Sequence, residues 1–298
     1  MITSQIPQDL FHEEGYKTAN DMPHFYRIIG QGEPFIFLHG GPGMWHDELV
    51  PFFLDFAQSY QCIFYDQRGN GKSLLEKIDE TTFSTELLVE DLEALRQEFR
   101  LPQLNIIGHS WGGLLGMYYT SKYPHYVKRL ILIDAAPINT ELLIKSYENL
   151  MARFTEAEWN HLQQLYESET YLAGGPVAHN EAMQLSEGAA IFSKEAQAAY
   201  FQASVFDEVT AKNMVALSGL AREMKLNITV QDQLHHITCP TLIIQGREDF
   251  IVPEAAELAH QFIQKSQLSF VEESGHYPFI EAPEAFFTRL NQFIRETA

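Results

Sequence analysis

The stretch that most constrains the fold is residues 104–113, where an apolar run leads into the pattern Gly-x-Ser-x-Gly. The apolar run predicts a buried strand, and residues 114–118 directly after the pattern predict a helix. Ser110 therefore stands on a sharp strand-to-helix turn, with its hydroxyl pointing outward. Gly108 and Gly112 suit such a turn, because a side chain at either position would press on the neighbouring strand or helix. The pattern alone is a weak signal, but its flanking elements predict that Ser110 is a nucleophile.

A second loop has the composition expected beside such a serine. Residues 35–38 form an apolar run that ends in His-Gly-Gly-Pro-Gly at 39–43. Three glycines and a proline in five residues indicate a bent backbone that lets another group approach closely. An oxyanion hole of this kind combines the backbone N–H after the serine with one from a loop that follows an early strand. Gly41 and Trp111 are the predicted donors.

Strands and helices alternate in most of the chain, which is typical of a mostly parallel sheet wrapped by helices. The alternation stops near Pro137 and resumes near Pro240, and the intervening residues read as helices without a convincing strand. We therefore expect an α/β core made of residues 1–136 and 237–298. Residues 137–236 are expected to form a helical cap inserted into that core.

Shorter patterns predict individual elements. Residues 24–30 and 35–38, joined by a turn, predict a hairpin, and residues 48–60 have the spacing of a helix. Further helices are predicted at 142–154, 156–167, 194–203, 253–264 and 283–296.

Composition excludes several classes of partner. The chain has 298 residues, 20 Lys+Arg and 40 Asp+Glu, and its formal net charge of -20 would repel nucleic acid and anionic lipid. The first residues lack a basic start followed by an apolar run, and no later stretch is apolar for long enough to span a bilayer. We expect a cytoplasmic protein without nucleic-acid or membrane partners. Cys62 and Cys239 are too few for a disulfide framework or a cysteine metal site, and both are expected to be buried.

Two further residues complete a candidate triad. Asp249 and His276 each follow a predicted strand, and catalytic groups in parallel sheets gather at such strand ends. The order Ser110, Asp249, His276 is the order expected when a histidine activates a serine and a carboxylate orients the histidine. Asp134, at the end of the strand after the serine turn, is the competing acid. Asp249 is favoured because Gly246 before it and Pro253 after it frame a fixed turn.

The chain resembles the α/β-hydrolase fold, and within it the proline iminopeptidase (prolyl aminopeptidase) family. The resemblance rests on motifs in both halves of the predicted core: the glycine-rich loop at 39–43, Asp66-Gln67-Arg68-Gly69 with Gly71 and Ser73, Ser110-Trp111-Gly112-Gly113, Gly246 with Asp249 and Pro253, and Gly275-His276. One position differs, since the serine turn reads Gly108-His109-Ser110, a variant common among esterases, where the family usually has a second glycine.

The resemblance implies a serine hydrolase that needs no metal or organic cofactor and acts on a small molecule or short peptide. The predicted activity is release of N-terminal proline, with hydrolysis of esters, lactones or small amides as the alternative. A non-catalytic ligand receptor on the same fold is a third hypothesis. Family members place carboxylates around the substrate's free amine, and the candidates in the cap are Glu187, Glu195, Asp207, Glu208 and Glu223. Glu223 is singled out because it lies late in the cap.

Overall fold

The computed structural model describes residues 6–7 and 9–298 and contains one sheet of eight strands. The strands are β1 (His12–Ala19), β2 (Met22–Ile29), β3 (Pro34–Leu38), β4 (Gln61–Tyr65), β5 (Leu104–His109), β6 (Val127–Ile133), β7 (Thr241–Gly246) and β8 (Ser266–Val271). Their order across the sheet is β1-β2-β4-β3-β5-β6-β7-β8. β2 pairs antiparallel with β1 and β4, and every other pairing is parallel. The prediction of a mostly parallel sheet is confirmed.

Alternate residues of the central strands pack on opposite faces of the sheet, as the two-residue period of a strand requires. Phe37 and Ile107 belong to one buried apolar cluster, whereas Leu38 and Ile106 belong to the other. Both faces are covered, which explains why β5 is buried at every position rather than at alternate ones.

Eleven α-helices accompany the sheet in the described part of the chain. They are α1 (Thr85–Glu98), α2 (Trp111–Lys122), α3 (Thr140–Met151), α4 (Glu156–Glu167), α5 (Glu169–Leu172), α6 (Pro176–Ala190), α7 (Lys194–Ala203), α8 (Glu208–Leu226), α9 (Pro253–Phe262), α10 (Pro278–Glu281) and α11 (Pro283–Glu296). Helices α3 to α8 all lie between β6 and β7. None of the helices in the described residues has the length and apolar character needed to cross a membrane.

Polar caps determine where several of the inserted helices begin. The side chain of Asn139 accepts a hydrogen bond from the third residue of α3, and Thr155 forms a reciprocal capping box with Glu158 at the start of α4. Asp207 caps α8 in the same manner. Such caps satisfy amide groups that the first turn of a helix leaves without partners.

Two local predictions are wrong. The strand at 24–30 does not form a hairpin with the strand at 35–38; β2 instead pairs with β1 and β4, so that β4 separates it from β3. β1 escaped prediction because it is a largely exposed edge strand without an apolar alternation.

The second error concerns residues 48–60, which form short 3₁₀ turns at His46–Glu48, Val50–Phe53 and Phe56–Gln58 instead of one helix. Pro51 has no N–H to donate, and in a continuous helix its ring would clash with the carbonyl four residues earlier, which favours a new turn. The first of these turns buries Glu48, at 1% exposure, and places it beside the serine loop.

Candidate active site

Ser110 occupies a strained turn between β5 and α2. Its backbone has φ 53° and ψ −118°, a conformation that residues with a side chain rarely adopt. A Cβ at Gly108 would overlap the backbone of Gly112, so the two glycines allow the strand and helix to approach as the turn requires. The turn is fixed to β6, since Ser110 N donates to Ile133 O at 2.9 Å and Ala136 N donates to Ser110 O at 2.9 Å.

The structure brings Asp249 and His276 together from the loops after β7 and β8. Nδ1 of His276 lies 3.0 Å from Oδ1 of Asp249, and both residues are 4% exposed. Because a carboxylate oxygen accepts, Nδ1 carries the proton, which leaves Nε2 of the neutral ring free to accept one. His276 and Ser110 both line one cavity.

The two loops that carry these side chains are held to each other and to the helical insertion. Glu248 N donates to Ser274 O at 2.8 Å, and His276 N donates to Ala190 O at 3.1 Å. Arg153, just beyond α3, donates from Nη2 to the backbone oxygen of Asp249 at 2.7 Å. The acid and the base are therefore positioned by backbone contacts rather than by their side chains alone.

Gly41 and Trp111, the predicted oxyanion donors, both lie close to Ser110. Gly41 borders the same cavity as Ser110 and has φ 107°, a conformation that favours glycine. Trp111 is the first residue of α2, so its N–H lies outside the hydrogen-bond ladder of that helix. Within residues 6–7 and 9–298, neither amide has a hydrogen-bond acceptor.

Gln67 links the loop at 39–43 to the start of α2, a contact that the sequence did not reveal. Its Nε2 donates to His39 O at 2.8 Å, and its Oε1 accepts from Trp111 Nε1 at 3.0 Å. Its backbone N–H donates to His39 Nε2 at 3.1 Å. Burial lowers the pKa of His39, which keeps the imidazole neutral and able to accept that bond.

A cavity of about 330 Å³ opens beside Ser110, near the lower end of the range for small-molecule sites. Aromatic side chains form much of its wall, namely Tyr147, Tyr166, Tyr171, Phe206, Phe250 and Tyr277. Two carboxylates also line it: Glu48 from the first 3₁₀ turn and Glu187 from α6. Glu48 was not among the residues predicted for the site, and Glu187 was only one of five candidate carboxylates in the insertion.

The two carboxylates differ in their surroundings. Burial alone would raise the pKa of Glu48, but its interaction with His109, whose Nδ1 lies 3.7 Å from Glu48 Oε1, holds the pKa below its usual value. Gly40 N also donates a hydrogen bond to Glu48. Burial raises the pKa of Glu187, although Tyr277 Oη donates a hydrogen bond to it at 2.7 Å. A cation in the cavity would favour the ionised form of Glu187.

Glu223 is not among the residues that line the cavity. It is exposed on α8, whereas Lys225 of the same helix lines the cavity. Successive residues rotate by about 100° around an α-helix, so these two side chains point in nearly opposite directions. Position late in the insertion was therefore an inadequate guide, and Glu187 is the acidic residue of α6 that faces the cavity.

Asp134 is adjacent to the His276–Asp249 pair rather than an alternative to it. One ligand atom from each of the three side chains lies within 4.8 Å of the others. Spacing of this kind also occurs at metal sites, but here the Nδ1 of His276 is already engaged with Asp249.

A pH dependence follows from the same pair. Burial alone would lower the pKa of His276, but the charge of Asp249 and its hydrogen bond raise the pKa above the usual value of 6.5. If His276 acts as a base, reactivity requires its neutral form and should fall as the pH drops through that raised pKa. The rate of labelling by a serine-directed fluorophosphonate, measured against pH with circular dichroism as the folding control, should have its midpoint above pH 6.5. A midpoint at or below that value would contradict the assignment.

Comparison with known proteins identifies the family of the chain. The profile of the family described as the alpha/beta hydrolase fold matches residues 33–283. The chain is similar to a proline iminopeptidase from Saccharolobus solfataricus, with 28% identity over 303 residues that cover 95% of this chain and 92% of that protein.

Solved structures show the same fold. A proline iminopeptidase from Mycobacterium smegmatis superposes with a TM-score of 0.70 at 20% identity, covering 96% of this chain and 98% of that one. A thermophilic esterase from Thermogutta terrifontis superposes with a TM-score of 0.70 at 20% identity, covering 96% and 99%. The predicted fold class is confirmed, and the family match extends over most of the chain. The protein belongs to the α/β-hydrolase fold family.

Proposed function

We propose that the protein is a serine hydrolase that works through an acyl-enzyme. Ser110 Oγ attacks a carbonyl carbon while His276 Nε2 takes its proton and then delivers it to the leaving amine or alcohol. Asp249 keeps the imidazole in the tautomer that leaves Nε2 free, as the 3.0 Å contact with Nδ1 supports. Water then releases the acyl group by the reverse proton transfers. This chemistry needs no metal or organic cofactor.

The backbone amides of Gly41 and Trp111 would stabilise the oxyanion, because both can donate hydrogen bonds to the negative charge that develops on the carbonyl oxygen in the transition state. Residues 137–236 would act as a cap. Helices α6 and α8 contribute to the wall of the cavity, so the insertion helps to choose the substrate and to exclude water.

The substrate that we propose is a short peptide with a free N-terminal proline. The observation that carries this choice is that Glu48 and Glu187 share the cavity with Ser110. A buried ammonium without a partner costs several kcal/mol, so a site for a free amine must present a carboxylate to it. Lys225 lines the same cavity and could attract the carboxylate at the other end of a short peptide. The proline iminopeptidase relatives give independent support.

Replacing Glu187 by glutamine is expected to reduce kcat/KM for proline anilide by roughly 10- to 100-fold, the effect of losing one hydrogen bond to a charged group. A simple short-chain ester lacks the ammonium and should be hydrolysed almost as fast as by the wild type. Both substrates are measured on both proteins. Glu223→Gln is the matched control, because it removes an exposed carboxylate of the insertion outside the cavity, and it should leave both rates unchanged.

The ratio of the anilide and ester rates distinguishes structural damage from loss of contact with the substrate's amine. Equal losses on anilide and ester in Glu187→Gln would indicate damage and contradict the amine contact. A wild type that prefers N-acetylproline anilide over the free amine would contradict the aminopeptidase assignment.

Hydrolysis of esters, lactones or small amides is the second candidate. It is favoured by His109, which gives the serine turn a sequence common among esterases, and by the largely aromatic cavity wall. Comparing proline anilide, other amino-acid anilides and short-chain esters distinguishes the two activities. A receptor without catalysis would hydrolyse none of them.

A further inference from the structure

Asp134 is a buried carboxyl group that the proposed mechanism leaves without a role. It follows β6 directly, its side chain is 0% exposed, and its Oδ1 accepts a hydrogen bond from Gly246 N at 2.8 Å. Gly246 ends β7, the strand that leads to Asp249. Asp134 therefore contacts the base of the loop that carries the triad acid.

Each of the two carboxyl groups has one oxygen whose partner is missing. Asp249 Oδ1 accepts from His276, and Asp134 Oδ1 accepts from Gly246, but the Oδ2 atoms of both residues are buried and have no donor within the described residues. Leaving a buried polar atom without a partner is unfavourable, and burying two adjacent negative charges is more unfavourable still. A single proton between the two carboxyl groups satisfies both oxygens.

We propose that Asp134 is a neutral carboxylic acid that donates its proton to Asp249 and thereby positions the triad acid for His276. Asp134 does not touch the reacting atoms, so it is a positioning residue. One negative charge then remains on the pair, which is the charge needed to orient and stabilise the imidazole.

The surrounding charges agree with a protonated Asp134. Burial makes the largest contribution to raising the pKa of Asp134, and the negative charges of Asp249 and of Glu281 on α10 raise it further. The pKa therefore lies well above its usual value. His276 contacts the carboxyl group of Asp249. Arg153 donates to the backbone oxygen of Asp249 and has no hydrogen bond to either carboxyl group in the described chain. No cation that would ionise Asp134 is hydrogen-bonded to its carboxyl group in the described chain.

The first test uses stability and does not depend on the proposed function. Asp134→Asn has the same shape, and its amide can accept from Gly246 while donating to Asp249. Folded wild type keeps the Asp134 proton that the unfolded chain releases above about pH 4. Urea unfolding from about pH 5 to about pH 8 should therefore show the wild type losing stability relative to Asp134→Asn, by up to a tenfold change in the unfolding equilibrium constant per pH unit.

Asp207→Asn is the control, since it removes an exposed carboxylate but retains an oxygen to cap α8. Its stability difference from wild type should be constant over the same pH range. A constant difference for Asp134→Asn as well would mean that folded Asp134 is ionised, and it would overturn the proposal.

The second test rests on Ser110 being the nucleophile and uses the rate of fluorophosphonate labelling. Asp134→Asn should stay within about threefold of wild type, whereas Asp134→Leu, of similar size but without a donor, should lose about tenfold or more. A labelling rate that asparagine retains and leucine loses identifies the hydrogen bond to Asp249 as the cause. Equal losses in the two variants would contradict it. If Asp134→Leu does not fold, the pH-dependent stability of Asp134→Asn still decides the question.

Discussion

Ser110→Ala is expected to abolish hydrolysis while the protein folds as before. The loss should be on the order of 10⁶-fold in kcat, the size seen when a triad serine is removed. Folding should survive because the Ser110 side chain makes no capping hydrogen bond to α2, and alanine keeps the Cβ of the strained turn. Turnover is measured on proline anilide and on a short-chain ester, with circular dichroism and thermal unfolding as folding controls.

A matched serine and a double variant sharpen this prediction. Ser186 lines the same cavity, and Ser186→Ala should keep most of the activity. His276→Ala should lose nearly as much as Ser110→Ala, and the double variant should lose no more than either, because the members of a triad act as one unit. Losses that add in the double variant would contradict a shared mechanism.

Asp249→Asn should reduce kcat by about 10⁴-fold, as in the template triad. An amide at this position can donate to Nδ1, which then carries the lone pair, so that the proton moves to Nε2 and the ring can no longer accept from Ser110. Asp134→Asn should have a far smaller effect, because its amide reproduces the donor of a neutral carboxylic acid. The two single variants are compared on the same substrate at several pH values. The reverse ranking would place the triad acid after β6.

The strand-to-helix turn at Ser110 could be predicted because all of its parts are adjacent in the sequence. β5 is buried along its whole length, the glycines are at fixed spacing, and α2 begins at once. Helices α4, α7 and α11 begin and end at the residues predicted for them, since caps or prolines mark their starts. β1 could not be predicted, because an exposed edge strand carries no apolar period.

The residues of the candidate site could be predicted only where they directly follow a strand of the sheet. Ser110, Asp249 and His276 lie at strand ends, so sheet topology alone brings their loops to one edge. Glu48 depends on a short 3₁₀ turn whose burial has no sequence period. Glu187 did leave a signal: Ala182, Met183, Ser186 and Ala190 share its face of α6 at helical spacing and line the same cavity. A carboxylate within such a face is a better candidate ligand than Glu223, which was chosen by chain position.

Mass spectrometry of the protein treated with a fluorophosphonate tests whether Ser110 is a covalent nucleophile. The wild type should gain a single adduct, mapped by peptide sequencing to Ser110. Ser110→Ala should gain none, and His276→Ala should react far more slowly. A folded wild type that takes no label, or an adduct that persists in Ser110→Ala, would contradict the account.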